Sequence, residues 1–182
     1  MKNHFHFNAK VLILPGLGNS GDSHWQTLWQ KEFNFTRVEQ RDWDTPICSE
    51  WIETIDNAIA SENSENIILV GHSLACTTIA SWATKYKRKI KGALLVAPSD
   101  TEAPSYPEGT TGFNPMTITK LHFPSLVITS NNDFYVTLKR AEFFAKSWGS
   151  EFIDIGEAGH INVGSGFGEW QQGLEYLKRL DS

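Results

Sequence analysis

The stretch Ile67-Ile68-Leu69-Val70-Gly71-His72-Ser73-Leu74-Ala75 constrains the fold of this chain more than any other. Four aliphatic residues in a row read as a strand buried on both faces. A small-residue turn follows, and then Ile79, Trp82, Ala83 and Tyr86 recur at helical spacing. A strand covered on both faces needs helices above and below it, which selects an α/β architecture. The turn matches a strand–turn–helix context in which a serine is held in a strained conformation with its hydroxyl clear of the strand end. Such a turn leaves little room two residues to either side of the serine. Gly71 meets that demand, whereas Ala75 adds one methyl where a second glycine is usual.

The remaining apolar runs extend this pattern. Lys10 to Leu14, Arg37 to Gln40, Ala93 to Val96, Leu126 to Thr129 and Phe152 to Ile155 read as five more strands. Helices are predicted between and after them. One starts near Ser23, where Ser23 and Gln26 have capping-box spacing, and carries Trp25, Leu28 and Trp29 on its apolar face. Others are marked by Trp51, Ile55, Ala58 and Ile59; by Ala141, Phe144, Ala145 and Trp148; and by Trp170, Leu174 and Leu177. The expected fold is a single three-layer α/β domain over 1–182. It has a mainly parallel sheet of about six strands, helices on both faces and no large cap domain. Asp100 to Lys120 has no clear period and holds three prolines; such loops in compact domains tend to be functional or mobile, and this one is a candidate lid.

Composition narrows the function classes. With 182 residues and a formal net charge of −5, the chain lacks the basic footprint of a nucleic-acid binder. No basic run suggests an anionic membrane surface, and no segment approaches the ~20 apolar residues that span a bilayer. No signal peptide is evident, and Cys48 and Cys76 form no metal or redox pattern, so a reduced, cytoplasmic protein is expected. His4 and His6 form a His-x-His pair that metals can use, but a loosely ordered terminus accounts for them more simply.

Candidate chemistry gathers where ligands bind in such sheets, outside the carboxyl ends of the strands. Gly16 to Gly21, Ser73, Asp133 and His160 each follow a predicted strand and so share one rim. A serine hydroxyl is a weak nucleophile until a base takes its proton. His160 is the candidate base and Asp133 the candidate carboxylate that orients it; the order serine, acid, histidine is that of α/β-hydrolases. Asp100 is an alternative acid, and Asn131-Asn132-Asp133 is also a sound turn sequence. Backbone N–H groups of Leu74, at a helix start, and of Leu17 or Gly16 are expected to hold an oxyanion. His24 is expected to line the pocket or cap the first helix, and Trp43 is a candidate wall of a hydrophobic acyl pocket. His72 should pack or hydrogen-bond beside the turn, and His122 is read as structural at the start of a strand. Gly16, Gly18 and Gly21 also spell a dinucleotide fingerprint with Glu39 downstream, which alone suggests a nicotinamide enzyme. That reading needs a second domain and leaves Ser73, Asp133 and His160 unexplained. No metal or cofactor is implied.

Six blocks resemble the small serine hydrolase family of the α/β-hydrolase superfamily, which includes retinoblastoma-binding protein 9 and the bacterial YdeN-type proteins. They are Leu12 to Gly16 with His24-Trp25-Gln26; Asp42 to Pro46 with Trp51; Gly71-His72-Ser73-Leu74; Leu94 to Pro98; Asn132-Asp133 with Arg140-Ala141; and Gly159 to Asn162 with Ser165 to Trp170. The resemblance implies a triad of Ser73, Asp133 and His160. The function expected is hydrolysis of a small ester, thioester or activated amide through an acyl-enzyme on Ser73, with a small-molecule acyl substrate. A hydrolase-shaped protein acting mainly through a protein partner is the alternative.

Overall fold

The computed structural model describes residues 5–62 and 64–182. Among these residues the chain runs β1 (Lys10–Leu14), α1 (Trp25–Phe33), β2 (Thr36–Arg37), α2 (Cys48–Ala60), β3 (Ile67–His72), α3 (Leu74–Tyr86), β4 (Gly92–Val96), β5 (Ser125–Thr129), α4 (Leu138–Trp148), β6 (Glu151–Asp154) and α5 (Gln171–Asp181). Short 3₁₀ turns precede β3 and α5. His4, part of the His-x-His pair, lies outside the described residues; the His6 carbonyl accepts from Lys178 Nζ at 2.6 Å.

All strand pairs are parallel, in the order β2-β1-β3-β4-β5-β6. The chain therefore leaves β1 toward one edge and returns to build from β3 toward the other. Beyond the carboxyl ends of β1 and β3 lies the crevice that this reversal opens. The loop after β1 and the turn after β3 face each other there.

Successive strand residues point to opposite faces, and each face buries a separate core. Leu12, Leu69, Leu95 and Val127 pack beneath α2, α3 and α4 with Trp51, Trp82 and Trp148. Val11, Ile68, Val70, Leu94 and Ile128 pack beneath α1 and α5 with Trp25, Trp29 and Leu174. The unbroken apolar run of β3 follows from this double cover.

Some local expectations shift. The second strand is Thr36–Arg37 at the sheet edge rather than residues 37–40, although Val38 N–H still donates to Ile13 O at 2.9 Å. Helix α1 starts one residue later than the capping-box spacing suggests. His24 is the N-cap, and its Nδ1 accepts from Gln26 N at 3.2 Å. Gln26 is thereby freed to donate from Nε2 to Leu14 O and Val70 O, which ties the ends of β1 and β3. His122 sits outside any strand, and its Nε2–H donates to Arg88 O at 2.6 Å.

Residues 97–124 form no helix or strand, and they are anchored rather than inserted as a cap. Thr111 exchanges backbone bonds with Pro46 and Cys48, and Thr101 Oγ donates to Phe113 O. Phe113, Met116, Leu121 and Phe123 descend into the core beneath α2–α4. Among the described residues no helix is long and apolar enough to cross a membrane.

Candidate active site

Ser73 is the single residue between β3 and α3, at φ 57° and ψ −121°. This backbone conformation costs roughly 1–3 kcal/mol and persists only where its surroundings over-determine it. They do so here. Ser73 N–H donates to Val96 O at 2.9 Å, and Ser73 O accepts from Cys76 N at 3.0 Å. A Cβ at Gly71 would stand 2.7 Å from Ile79 Cδ1 and 3.4 Å from the Ala75 backbone, so any larger residue there must push the Ile79 side chain aside. Position 75 lies inside α3, and the Ala75 methyl is buried among apolar neighbours without displacing the turn. Gly16 carries the second steric demand. A Cβ there would lie 2.8 Å from His72 O and 2.9 Å from Ser73 Cβ. Glycine thus lets the loop after β1 press its backbone against Ser73. The Leu74 N–H opens α3, where it has no intrahelical acceptor.

Asp133 follows β5 with its side chain fully enclosed. Its Oδ1 accepts from Tyr135 N at 2.8 Å, a local turn that aims the carboxylate. His160 Nδ1 lies 2.8 and 3.0 Å from the two Asp133 oxygens, and Nε2 lies 2.9 Å from Ser73 Oγ. An ionised carboxylate only accepts, so Nδ1 carries the proton, Nε2 presents its lone pair, and the serine hydroxyl donates to it.

The loop that carries His160 is secured from both sides. Asn132 Oδ1 accepts from Gly159 N at 2.7 Å, and Ser130 Oγ accepts from Ala158 N at 3.0 Å. Trp25 Nε1 and Trp29 Nε1 donate from α1 to Ile161 O and Glu169 O. Gly159 has φ +54°, and a Cβ there would collide with Ser165 Oγ, which itself accepts from His160 N.

Asp100, the alternative acid, is committed elsewhere. Arg140 Nε and Nη2 donate to its two oxygens at 2.7 and 2.9 Å, a bidentate pair.

A cavity of about 190 Å³ opens over Ser73 and His160, with walls from Leu17, His24, Tyr106, Pro107, Tyr135 and Asn162. Trp43 is not among its walls, which corrects the expectation of an acyl pocket there. Its ring packs edge-on against Trp51, 5.5 Å between centroids, and its carbonyl accepts from Gly18 N at 2.8 Å. Tyr106 and Pro107 come from the aperiodic 97–124 stretch, where no pattern points to them. Tyr135, two residues past Asp133, and Asn162, two past His160, could have been nominated by proximity alone.

The His72 imidazole has two imidazole neighbours, His24 and His160, each 4.9 Å away between ring centroids. His72 is buried at the cavity wall, its Nε2–H donating to His160 O at 2.9 Å. Burial, reinforced by its two histidine neighbours, pushes its pKa well below the ordinary value. Burial, with Arg37 and His160 adding to it, likewise lowers His24 to about 4. Both rings are neutral near pH 7.

Gly16, Gly18 and Gly21 do not do the work of a dinucleotide fingerprint. That motif uses its third glycine for close helix–strand packing. A Cβ at Gly21 would meet nothing within 4 Å, and α1 starts only at Trp25.

The solved structure of a protein described as a YdeN-like hydrolase from Pectobacterium atrosepticum superposes with a TM-score of 0.83 at 31% identity, covering 94% of this chain and 90% of that one. The ydeN gene product of Bacillus subtilis aligns with a TM-score of 0.74 at 17% identity, over 95% of this chain and 98% of that one. Carboxylesterase CesB of Bacillus subtilis shares the fold with a TM-score of 0.66 at 12% identity, over 95% and 84% of the two chains. No curated protein matches the chain in sequence. The serine hydrolase family matches residues 11–179, nearly the whole sheet and all five helices, and the chain belongs to that family, in its small α/β-hydrolase form.

Proposed function

We propose that this single-domain protein hydrolyses a small ester, thioester or activated amide through an acyl-enzyme on Ser73. The observation that carries the reading is the relay of contacts from Asp133 through His160 to Ser73 Oγ, at 2.8 and 2.9 Å. As Ser73 Oγ attacks the carbonyl carbon, its proton passes to His160 Nε2 and the carbonyl oxygen becomes an oxyanion. The Leu74 N–H and that of Leu17 or Gly16 stabilise this charge; the close approach of Gly16 to the turn supports this assignment. Collapse of the intermediate breaks the bond to the leaving group, which takes the proton from Nε2. Water then attacks the acyl-enzyme, giving its proton to His160, and the second collapse restores the Ser73 hydroxyl. Asp133 holds the Nδ1–H tautomer and stabilises the imidazolium between the two proton transfers. No step needs a metal or organic cofactor.

The cavity of about 190 Å³ favours a short acyl group over a long chain. The two free cysteines are both buried, in keeping with the cytoplasmic setting expected from the sequence.

Ser73→Ala should abolish turnover of p-nitrophenyl esters, a loss of at least ~10⁴-fold, together with covalent labelling by a fluorophosphonate. Labelling that persists in Ser73→Ala would refute the assignment. A folded wild-type protein inert to probe and esters alike would favour the protein-binding alternative.

A further inference from the structure

His24 is a cavity wall to which the mechanism gives no part. His24 is 6% exposed and lines the same cavity as Ser73 and His160. Its Nδ1 is occupied as an acceptor, capping α1 through Gln26 N at 3.2 Å. In a neutral imidazole an accepting Nδ1 puts the proton on Nε2. The ring is wedged between Trp25 and His72, with centroids at 5.3 and 4.9 Å, so this orientation is fixed by packing as well as by the cap. Burial keeps the ring neutral, with its pKa lowered to about 4.

The Nε2–H has no hydrogen-bond partner among the described residues. Among the described residues, Gln40 Oε1, Thr77 Oγ1 and Trp170 Nε1 are sealed side-chain atoms without a partner, and His24 Nε2 is not one of them. A largely buried donor that faces a cavity is satisfied by what enters it.

In the reading above, His160 Nε2 protonates the leaving group, so the leaving group lies beside His160. His24 lines the same cavity, with His72 between it and His160, the His72 ring centroid 4.9 Å from each. We propose that His24, set apart from the leaving-group side by His72, faces the half of the substrate that stays on Ser73 and selects short acyl groups that carry an oxygen acceptor near the scissile carbonyl, donating to it from Nε2–H. This rests on the hydrolase reading and adds substrate class to it: oxygenated short acyl groups over plain alkyl ones.

The test compares p-nitrophenyl methoxyacetate with p-nitrophenyl butyrate, which differ by one oxygen for one methylene. Each kcat/KM is divided by the rate constant for alkaline hydrolysis of the same ester. The wild-type ratio should favour methoxyacetate by about 3- to 10-fold, the worth of one neutral hydrogen bond. His24→Ser keeps a capping oxygen at the start of α1 but cannot reach the acyl group. His24→Phe keeps a ring but loses both cap and donor. The ratio should fall to about one in both variants, although their thermal midpoints differ. A wild-type ratio near one overturns the proposal, as does an equal loss on both esters in the two variants. A wild-type protein that turns over neither ester and resists fluorophosphonate overturns the hydrolase reading, and the selectivity with it.

Discussion

Asp100 and Asp133 occupy nearly equivalent places. Asp100 lies four residues past Val96, where β4 ends, and Asp133 four past Thr129, where β5 ends. Each closes a local turn by accepting the N–H two residues on, from Glu102 and from Tyr135. Their side chains are 9% and 0% exposed. The two turns are joined, since Asp100 N–H donates to Tyr135 O at 2.9 Å. What differs is the facing side chain. Arg140, from the first turns of α4, offers a guanidinium that stays charged at any working pH, so Asp100 is locked as structure. His160 offers an imidazole whose other ring nitrogen, Nε2, lies 2.9 Å from Ser73 Oγ. Two carboxylates with the same local geometry thus meet different partners, because a helix brings Arg140 to one and a loop brings His160 to the other.

The contrast can be broken at either aspartate. The largest effect is expected at Asp133→Asn, which removes the acceptor that fixes the His160 tautomer. Its kcat on a short p-nitrophenyl ester should fall about 10⁴-fold with little change in thermal midpoint. A fall of less than tenfold would make the two aspartates alike.

Arg140→Ala should act on stability instead. It leaves the Asp100 carboxylate buried without its partner, which costs about 2–3 kcal/mol at this partly exposed pair, or roughly 5–10 °C in midpoint. Its kcat should fall far less than that of Asp133→Asn. The double variant Asp100→Asn, Arg140→Leu should melt above Arg140→Ala, because the buried Asp100 charge is gone and the charge left unpaired, on Glu102, is solvent-accessible. Differential scanning calorimetry of the three proteins checks both statements.

The smallest effect sharpens the structural side of the comparison. Asp56 repeats the Asp100 arrangement on α2, with Arg88 donating at 2.6 and 2.8 Å and Trp82 Nε1 at 3.2 Å. The Arg88 hydrogen bonds hold its carboxyl below the usual range, against the opposing push of burial. A lowered folded-state pKa gives stability that is present above the unfolded value, about 4, and is lost as pH falls through the folded value. Thermal midpoints of Asp56→Asn recorded from pH 7 to pH 2 should therefore start lower than wild type and fall less steeply below pH 4.

Legibility in the sequence followed the strength of the physical constraint. Strands such as Ile67–His72 and Gly92–Val96 read clearly because both faces are buried, which forces an uninterrupted apolar run. The edge strand Thr36–Arg37 was displaced in the reading because one neighbour and partial exposure impose little pattern. Ser73, with Gly71 before it, was legible because a strained turn excludes most side chains. Trp43 is only a candidate from sequence because tryptophan spacing cannot distinguish a pocket wall from a core ring; in the fold its ring packs edge-on against Trp51. Tyr106 could not be found at all. The stretch that carries it is held by scattered long-range bonds, Thr111 to Pro46 and Arg140 to Asp100, which leave no period.

By itself the sequence determined the layered parallel sheet and the serine turn, because steric exclusion and burial on two faces act on residues close together in the chain. It also placed an acid and a histidine after late strands, in an order that a known family shares. Only the tertiary structure decided which aspartate meets the imidazole and that His24 caps a helix while facing the cavity. It also decided which rings close the site. Those outcomes depend on contacts between residues far apart in sequence, such as Asp133 with His160 and Asp100 with Arg140, and local chemistry does not encode which distant group will arrive.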